Sequence, residues 1–303
     1  MRTLITGGTG LIGRALLPHF ESAVILTRDP ARAGTRLGAV EAHAWKPETG
    51  PPPLAALREV DIAFNLAGEP VAEGRWTTER KRRIRDSRVL GTRHLVAAIA
   101  KLERRPRVLV SASAVGYYGD RGDEELDETS AVGRGFLAEV CAEWEREALA
   151  AAQLGVRVVC VRLGIVLAPG GGALAKMLPP FRMGLGGPLA GGRQWMPWVH
   201  VEDVVGLLLH ASRDDRIRGP VNAVGPRPVT NGEFTRALGL ALHRPALLPV
   251  PRMMLRAAFG EMSDVLTASQ RVFPRVAERY GYVFNHTELA GALDSVLATR
   301  SRV

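Results

Sequence analysis

The segment TGGTGLIG, residues 6–13, places three glycines at a spacing of three directly after an apolar strand candidate and at the start of a helix candidate. Glycines at this spacing permit a tight turn, a close approach of the backbone to a pyrophosphate, and close packing of the helix on the sheet. The free amide groups at a helix N-terminus favour the negative charge of phosphate. We therefore predict a dinucleotide-binding loop formed by Gly7, Thr9, Gly10, Leu11, Ile12 and Gly13.

The end of the second apolar strand distinguishes NAD from NADP. An acidic side chain there binds the ribose diol of NAD, whereas an arginine pairs with the 2′-phosphate of NADP. The segment VILTRDP puts Thr27 and Arg28 at this point. Asp29 is the alternative, but it lies one residue later and directly before Pro30, where a turn or cap role is more natural. Because the planar guanidinium of Arg28 suits a phosphate, we favour NADP(H) over NAD.

Hydroxyl side chains follow another apolar strand in the segment SASAVGYYGD. Ser111 and Ser113 stand at the end of that strand. We expect Ser111 to contact the cofactor and Ser113 to bind the substrate oxygen as a catalytic residue. Tyr118 is the best available proton donor. A tyrosine has an ordinary pKa near 10, so acid–base work near neutral pH needs a strongly perturbed group. Packing of Tyr118 on a cofactor or substrate, without proton transfer, is the alternative role.

Short apolar segments alternate with amphipathic helical segments through the first half of the chain. The strand candidates are RTLIT, AVILT, DIAFNLAG, RVLVSAS and VRVVCVRLG. Nearly continuous apolar strands separated by helices are typical of a parallel sheet that is covered on both faces. We expect an α/β fold with a doubly wound parallel sheet. A Rossmann domain over 1–165, completed by a strand at 221–225, would carry a smaller C-terminal substrate lobe formed by 166–220 and 226–303.

The composition narrows the class of protein. The chain has 303 residues, 46% of them hydrophobic, and a formal net charge of +9. Its densest basic cluster, residues 75–88, indicates the solvated face of a helix that begins at Thr77 or Thr78. No recognised nucleic-acid motif accompanies this cluster, so we expect no nucleic-acid partner. No run of 18 apolar residues occurs, so we expect no membrane-spanning helix and no membrane partner.

The remaining polar and sulfur groups do not form a metal site in the sequence. Cys141 and Cys160 both lie in apolar segments and are expected to be buried thiols of a cytoplasmic protein. In the segment PWVHVEDVVG, His200 is expected to have a structural role and Asp203 to cap a helix. We expect no metal, a small-molecule substrate of unidentified structure, and leave a homodimer open as an assembly.

Taken over its whole length, the chain resembles the YfcH-like branch of the atypical extended short-chain dehydrogenases, a branch described as epimerase-like with its own short C-terminal domain. The resemblance is carried by TGGTGLIG, NLAGEP, SASAVGYYGD, TNGEFTRALGLALHRPALLPVP and the long stretch from 162 to 204. It implies a Rossmann domain with NADP in the crevice and a substrate lobe above it. It also implies that the segment Asn65, Leu66, Ala67 and Gly68 runs beside the adenosine and that Arg88 lies near the cofactor. Arg162, at the end of a later strand, faces the same crevice by topology, with a buried salt bridge as its alternative role.

One departure from the family pattern bears on function. Short-chain dehydrogenases use a tyrosine with a lysine four residues later on one helix face, where the ammonium lowers the pKa of the phenol. The corresponding positions here are Phe136 and Val140, and no lysine occurs between 102 and 175. In the extended members a tyrosine before a glycine forms a loop over the nicotinamide, and Tyr118 before Gly119 fits that motif.

Two hypotheses follow from this departure. The first is an NADP(H)-dependent oxidoreductase or epimerase-like enzyme acting on a hydroxyl or carbonyl compound. The second is a non-catalytic NADP-binding protein that regulates or binds a partner.

Overall fold

The computed structural model describes residues 1–37 and 40–298. Its strands are β1 (Arg2–Thr6), β2 (Ala23–Thr27), β3 (Glu41–Ala44), β4 (Val60–Asn65), β5 (Val108–Ala114), β6 (Glu125–Leu126), β7 (Arg157–Leu163), β8 (Ile165–Leu167), β9 (Trp195–Met196), β10 (Trp198–His200), β11 (Gly219–Ala223), β12 (Val229–Thr230) and β13 (Arg271–Val272). Its α-helices are α1 (Leu11–Leu16), α2 (Pro30–Leu37), α3 (Leu54–Leu57), α4 (Thr78–Ala100), α5 (Phe136–Leu149), α6 (Gly172–Arg182), α7 (Val201–Arg213), α8 (Asn231–Ala241), α9 (Arg252–Phe259), α10 (Ser263–Thr267), α11 (Arg275–Arg279) and α12 (Leu289–Ala298).

Among the described residues, seven strands form one sheet in the order β11-β7-β5-β4-β1-β2-β3. Every neighbouring pair in it is parallel. The strand order reverses at β1, which lies between β4 and β2, so the loops that follow β1 and β4 diverge. A crevice at the carboxyl ends of these strands is where open α/β sheets bind ligands. The predicted Rossmann-like fold is confirmed.

Both faces of the sheet are buried, as the continuous apolar strands predict. Along β1, Leu4 belongs to one hydrophobic cluster and Ile5 to another on the opposite face. Helix α7 covers the face of Ile5, and α4 covers the face of Leu4. Because neighbouring side chains of a strand point to opposite faces, a strand of a doubly covered sheet has apolar residues in succession.

The edges of the sheet differ from the sequence expectation. Strand β3, with the sequence EAHA, was not among the strand candidates, because it is a partly exposed edge strand without an apolar run. The strand expected at 221–225 is observed as β11 and pairs with β7 at the other edge. The polypeptide therefore returns to the sheet after the Gly- and Pro-rich stretch.

Helices α6, α8 and α12 share a hydrophobic cluster separate from those of the sheet. Leu174 and Phe181 of α6 pack there with Phe234 of α8 and Leu293 of α12. Helix α8 begins with a capping box, in which Thr230 accepts from the backbone N–H of Glu233 and the Glu233 carboxylate accepts from that of Thr230.

Helix α7 is capped by His200 and not by Asp203, the residue that was expected from the sequence. His200 caps the helix, because its Nδ1 accepts from the backbone N–H of Glu202 at 3.2 Å. Asp203 is fully buried and instead accepts from the backbone N–H groups of Asn285 and His286, at 2.7 and 3.0 Å. It thereby fixes the segment that leads into α12. Within the described residues, no helix is long and apolar enough to cross a bilayer.

Candidate functional site

The loop after β1 is a turn that only glycine allows. Gly7 has a φ of +69°, and a Cβ there would meet the Leu66 carbonyl oxygen at 2.8 Å. The Gly10 N–H donates to the Gly7 carbonyl oxygen at 2.9 Å, which closes the turn before α1. A Cβ on Gly13 would lie 2.4 Å from the same oxygen. The backbone of this loop is therefore left open to a ligand, as a pyrophosphate requires.

The loop after β4 forms the second wall of the crevice. The Thr6 hydroxyl accepts from the backbone N–H groups of Leu66 and Ala67, both at 3.0 Å, and donates to Asn65 Oδ1. Asn65 Nδ2 donates to Thr92 Oγ1 and to Ser111 Oγ. The side chains of Asn65 and Ser111 are buried in this network, so these two predicted cofactor residues support the floor of the crevice from below.

Between these loops lies a cavity of about 450 Å³. It is lined by eight of the predicted cofactor residues: Gly7, Thr9, Gly10, Thr27, Arg28, Leu66, Ala67 and Gly68. Seven other predicted residues do not line it: Leu11, Ile12, Gly13, Asn65, Arg88, Ser111 and Arg162. The first three of these belong to α1, whose first turn leaves backbone N–H groups without a partner inside the helix.

Several lining residues were missed by the sequence reasoning. They are Leu26, Trp45, Pro47, Glu48, Pro70, Arg82, Arg83, Asp86 and Ser87. Trp45, Pro47 and Glu48 follow strand β3, which was not predicted. Arg82 and Arg83 lie on α4, within the basic cluster that was expected to be a solvated helix face. Only the fold brings these segments to the end of β1, so their spacing in the chain carries no signal.

The residues after β2 fit an NADP phosphate better than an NAD ribose. Arg28 directly follows β2 and its side chain is 69% exposed, with Nη1 3.7 Å from Glu69 Oε2. Asp29 Oδ1 accepts from the backbone N–H of Arg32 at 3.0 Å, at the start of α2. The first carboxylate after β2 is thus engaged with a helix N-terminus. Arg28 remains to face the cavity.

Arg88 adds a second positive group beside the loop after β4. Its Nη1 donates to the Glu69 and Ile84 carbonyl oxygens, at 2.9 and 3.1 Å. Its guanidinium lies over the ring of Trp144, 5.3 Å from the centroid, and a Cβ on Gly68 would lie 3.1 Å from it. Burial lowers the pKa of Arg88. Within the described chain no carboxylate makes a salt bridge with this partly buried positive charge, which lies beside the edge of the crevice.

Both predicted catalytic hydroxyl groups are bonded to protein. Ser113 Oγ donates to Glu145 Oε1 at 2.6 Å. The fully buried Tyr118 donates to Asn222 Oδ1 at 2.7 Å and accepts from Arg162 Nη1 at 2.9 Å. Arg162 also forms two bonds with the Glu145 carboxylate, both at 2.8 Å. Arg162 thus has the alternative role of a buried salt bridge, and neither hydroxyl lines the cavity.

The environment of Tyr118 opposes ionisation. Burial raises its pKa to about 12, although the Arg162 guanidinium acts in the other direction. The positions that correspond to the family tyrosine and lysine are apolar and packed. Phe136 lies edge-on against Trp76, with 5.2 Å between ring centroids, and Val140 is buried. The described site therefore lacks the usual acid–base pair.

Comparison with known proteins places these features in a family. The model of the NAD dependent epimerase/dehydratase family matches residues 3–224, and a domain of unknown function, DUF1731, matches residues 250–296. Epimerase family protein Mb2239 of Mycobacterium bovis is 43% identical over 95% of both chains. Epimerase family protein YfhF of Bacillus subtilis is 35% identical over the full length of both chains. The crystal structure of the human epimerase family protein SDR39U1 (isoform 2) with NADPH is similar at 34% identity, with a TM-score of 0.86 over all of both chains.

Proposed function

The chain belongs to the NAD dependent epimerase/dehydratase family, and we propose that it binds NADP(H) in the cavity between the loops after β1 and β4. The observation that carries this proposal is Arg28, whose side chain directly follows β2 and is 69% exposed. The neighbouring carboxylate, that of Asp29, caps α2 instead of facing the ribose. The glycine turn supports the proposal, because it leaves the backbone bare where the pyrophosphate would lie. The NADPH bound to the similar human protein supports it independently.

Each wall of the cavity would hold a different part of the cofactor. Arg28 would pair with the 2′-phosphate, and the loop from Gly7 to Gly10 with the pyrophosphate. Leu66 to Gly68 would lie along the adenosine side, and Arg88 would supply a positive charge beside the cofactor. When bound, NADPH supplies a hydride for transfer to a carbonyl or a related acceptor.

We also propose that 166–220 and 226–303 form the substrate lobe above a Rossmann domain of 1–165 and 221–225, and that the chain belongs to the YfcH-like branch. Contacts across the mouth of the crevice favour this division. Lys176 of α6 donates to the Ala72 carbonyl oxygen, and Arg75 Nε donates to the Ala258 carbonyl oxygen at 3.2 Å. The loop before α4 is thereby fastened to two helices of the proposed lobe.

The use of the bound cofactor has two candidates. Membership of the family favours an oxidoreductase or epimerase-like enzyme with a hydroxyl or carbonyl substrate. The hydrogen bonds of Ser113 to Glu145 and of Tyr118 to Asn222 favour the second candidate, a protein that binds NADP(H) without redox turnover and regulates or binds a partner. If the protein is an enzyme, the proton must come from another group, because the Tyr118 hydroxyl is bonded to Asn222 and Arg162. A broad panel of carbonyl compounds distinguishes the two. Oxidation of NADPH with at least one compound supports the enzyme, whereas no oxidation with any of them supports the second candidate.

The cofactor assignment is tested by Arg28→Asp, with Arg58→Asp as the control. Arg58 is an exposed arginine at the end of α3 that is outside the cavity. Loss of a charge-assisted phosphate contact and its replacement by a repulsive charge should weaken NADPH binding by about 10- to 100-fold. NADH binding should change far less, and the control should alter neither. An equal loss for NADPH and NADH would show that Arg28 does not read the 2′-phosphate.

A further inference from the structure

The C-terminal lobe exposes large aliphatic side chains in three of its segments. These are Met183 and Leu185 after α6, Leu240, Leu247 and Leu248 at and beyond the end of α8, and Met253 and Met254 on α9. Their exposed fractions range from 50% at Leu248 to 84% at Met253. Single exposed apolar side chains are normal, but a group of seven marks an interaction surface.

The three segments are neighbours in space. The backbone N–H of Leu248 donates to the Gly186 carbonyl oxygen at 3.1 Å, and that of Val250 to the Pro188 carbonyl oxygen at 2.9 Å. A Cβ on Gly239 would touch the Ala246 side chain at 2.9 Å, which ties the end of α8 to the same strip. Helix α9 begins two residues after Val250. The three segments that carry the exposed side chains are therefore adjacent at the surface.

Helix α9 contributes little to the core of the lobe. Of its eight residues only Leu255 is buried. Its C-terminal end is held from outside the lobe, because Arg75 donates to the carbonyl oxygens of Ala257 and Ala258. Most of its surface, including Met253 and Met254, therefore has no protein partner within the described chain.

The same face is basic. Residues 234–260 contain no aspartate or glutamate. Arg182, Arg244, Arg252 and Arg256 are all exposed, and within the described chain no hydrogen bond or ion pair engages their guanidinium groups. We call these four arginines, together with the seven aliphatic side chains, the basic apolar face.

Charge decides which partner fits this face. A second copy of the chain, joined face to face, would bring eight arginines together, and the basic apolar face itself contains no carboxylate to pair with them. A nucleic acid would satisfy the arginines but would leave the leucines and methionines without an apolar partner. A bilayer with anionic headgroups satisfies both, since arginines gain from the negative surface and aliphatic side chains enter the boundary of the acyl chains.

We propose that the basic apolar face docks the protein on the surface of an anionic lipid bilayer, with Met253 and Met254 entering the headgroup region. This is interfacial binding and needs no helix that spans the bilayer. It replaces the expectation from sequence that no membrane is a partner. It is independent of NADP(H) binding, because the face shares no residue with the cofactor cavity.

The test is sedimentation of the full chain with vesicles of equal parts phosphatidylglycerol and phosphatidylcholine, compared with phosphatidylcholine alone. We expect binding to the anionic vesicles that falls with added salt, and much weaker binding to the neutral ones. The double variant Arg252→Glu with Arg256→Glu should weaken binding by at least about 20-fold, since each basic residue near such a surface contributes about a fivefold gain. Met253→Asp with Met254→Asp should also abolish binding.

Matched controls lie on the segment that packs against α7. Arg279→Glu changes another exposed arginine, and Val283→Asp changes an apolar side chain that is 81% exposed. Both should bind anionic vesicles like the unchanged protein, and all variants should keep the same melting temperature. Three results would overturn the proposal: no binding to anionic vesicles, equal losses in the control variants, or a dimer in solution that the Met253 and Met254 changes dissociate.

Discussion

Replacing Tyr118 by phenylalanine should destabilise the fold, whereas the same change in the adjacent Tyr117 should be nearly neutral. The Tyr118 hydroxyl forms two hydrogen bonds in the buried network with Arg162 and Asn222. The Tyr117 ring lies under the Arg162 guanidinium, 3.5 Å from its carbon to the ring centroid. Its hydroxyl makes no hydrogen bond within the described chain, and phenylalanine keeps the ring. The two changes thus remove the same atom from different environments.

The magnitude follows from the contacts that are lost. A neutral hydrogen bond such as that to Asn222 contributes about 1 kcal/mol, and one from a charged group such as Arg162 about 1.5–3 kcal/mol. Asn222 Oδ1 would lose its donor while it stays buried. The free energy of unfolding should therefore fall by about 2–4 kcal/mol for Tyr118→Phe and by less than about 0.5 kcal/mol for Tyr117→Phe. For a chain of this size, the first change corresponds to a fall of about 3–6 °C in Tm.

Urea unfolding and calorimetry of both variants measure this difference, and NADPH titration accompanies them. Because Tyr118 does not line the cavity, its change should leave NADPH affinity within about twofold of the unchanged protein. Equal stability of the two variants would refute the buried hydrogen-bond network. Normal stability combined with complete loss of carbonyl-dependent NADPH oxidation would restore Tyr118 as a proton donor.

Three further predictions come from the same contacts. Burial raises the folded-state pKa of Tyr118 from 10.0 to about 12, so its stabilising effect is full below pH 10.0 and is lost as the pH rises through about 12. Unfolding measured across that window should show a smaller alkaline loss for Tyr118→Phe than for the unchanged protein, and equal losses would contradict the burial. Gly13→Ala would place a Cβ 2.4 Å from backbone and should abolish NADPH binding, whereas Gly34→Ala, with no atom within 4 Å of its Cβ, should bind normally in the same titration. Arg88→Met should weaken NADPH and NADH equally, by about 10-fold; a loss confined to NADPH would place Arg88 at the 2′-phosphate instead.

The sequence predicted the structure best where the conformation depends on residues that are close together in the chain. The glycine turn, the apolar strands and the start of α4 at Thr78 follow from conformational preferences that act within a few residues, and the structure has them at the expected positions. The edge strand β3 was missed because a strand with one neighbour needs no apolar run. The wall of the cavity formed by α4 was also missed, since it depends on packing between distant segments.

The two hydroxyl groups predicted to be catalytic show what a sequence motif leaves undetermined. Ser113 and Tyr118 occupy the expected place at the end of β5, but the direction of each side chain is set by its partners. Those partners are Glu145 on α5 and Asn222 on β11, which lie 32 and 104 residues away in the chain. No local pattern reveals whether such a hydroxyl faces the crevice or a buried network.

Equilibrium titration of the unchanged protein, stripped of bound nucleotide, with NADPH and then with NADH tests the central claim most directly. We predict saturable binding of NADPH at one site and binding of NADH that is weaker by about 10-fold or more, because only NADPH carries the phosphate that Arg28 would engage. Equal affinity for the two cofactors, or tighter binding of NADH, would contradict the assignment of the cavity to NADP(H).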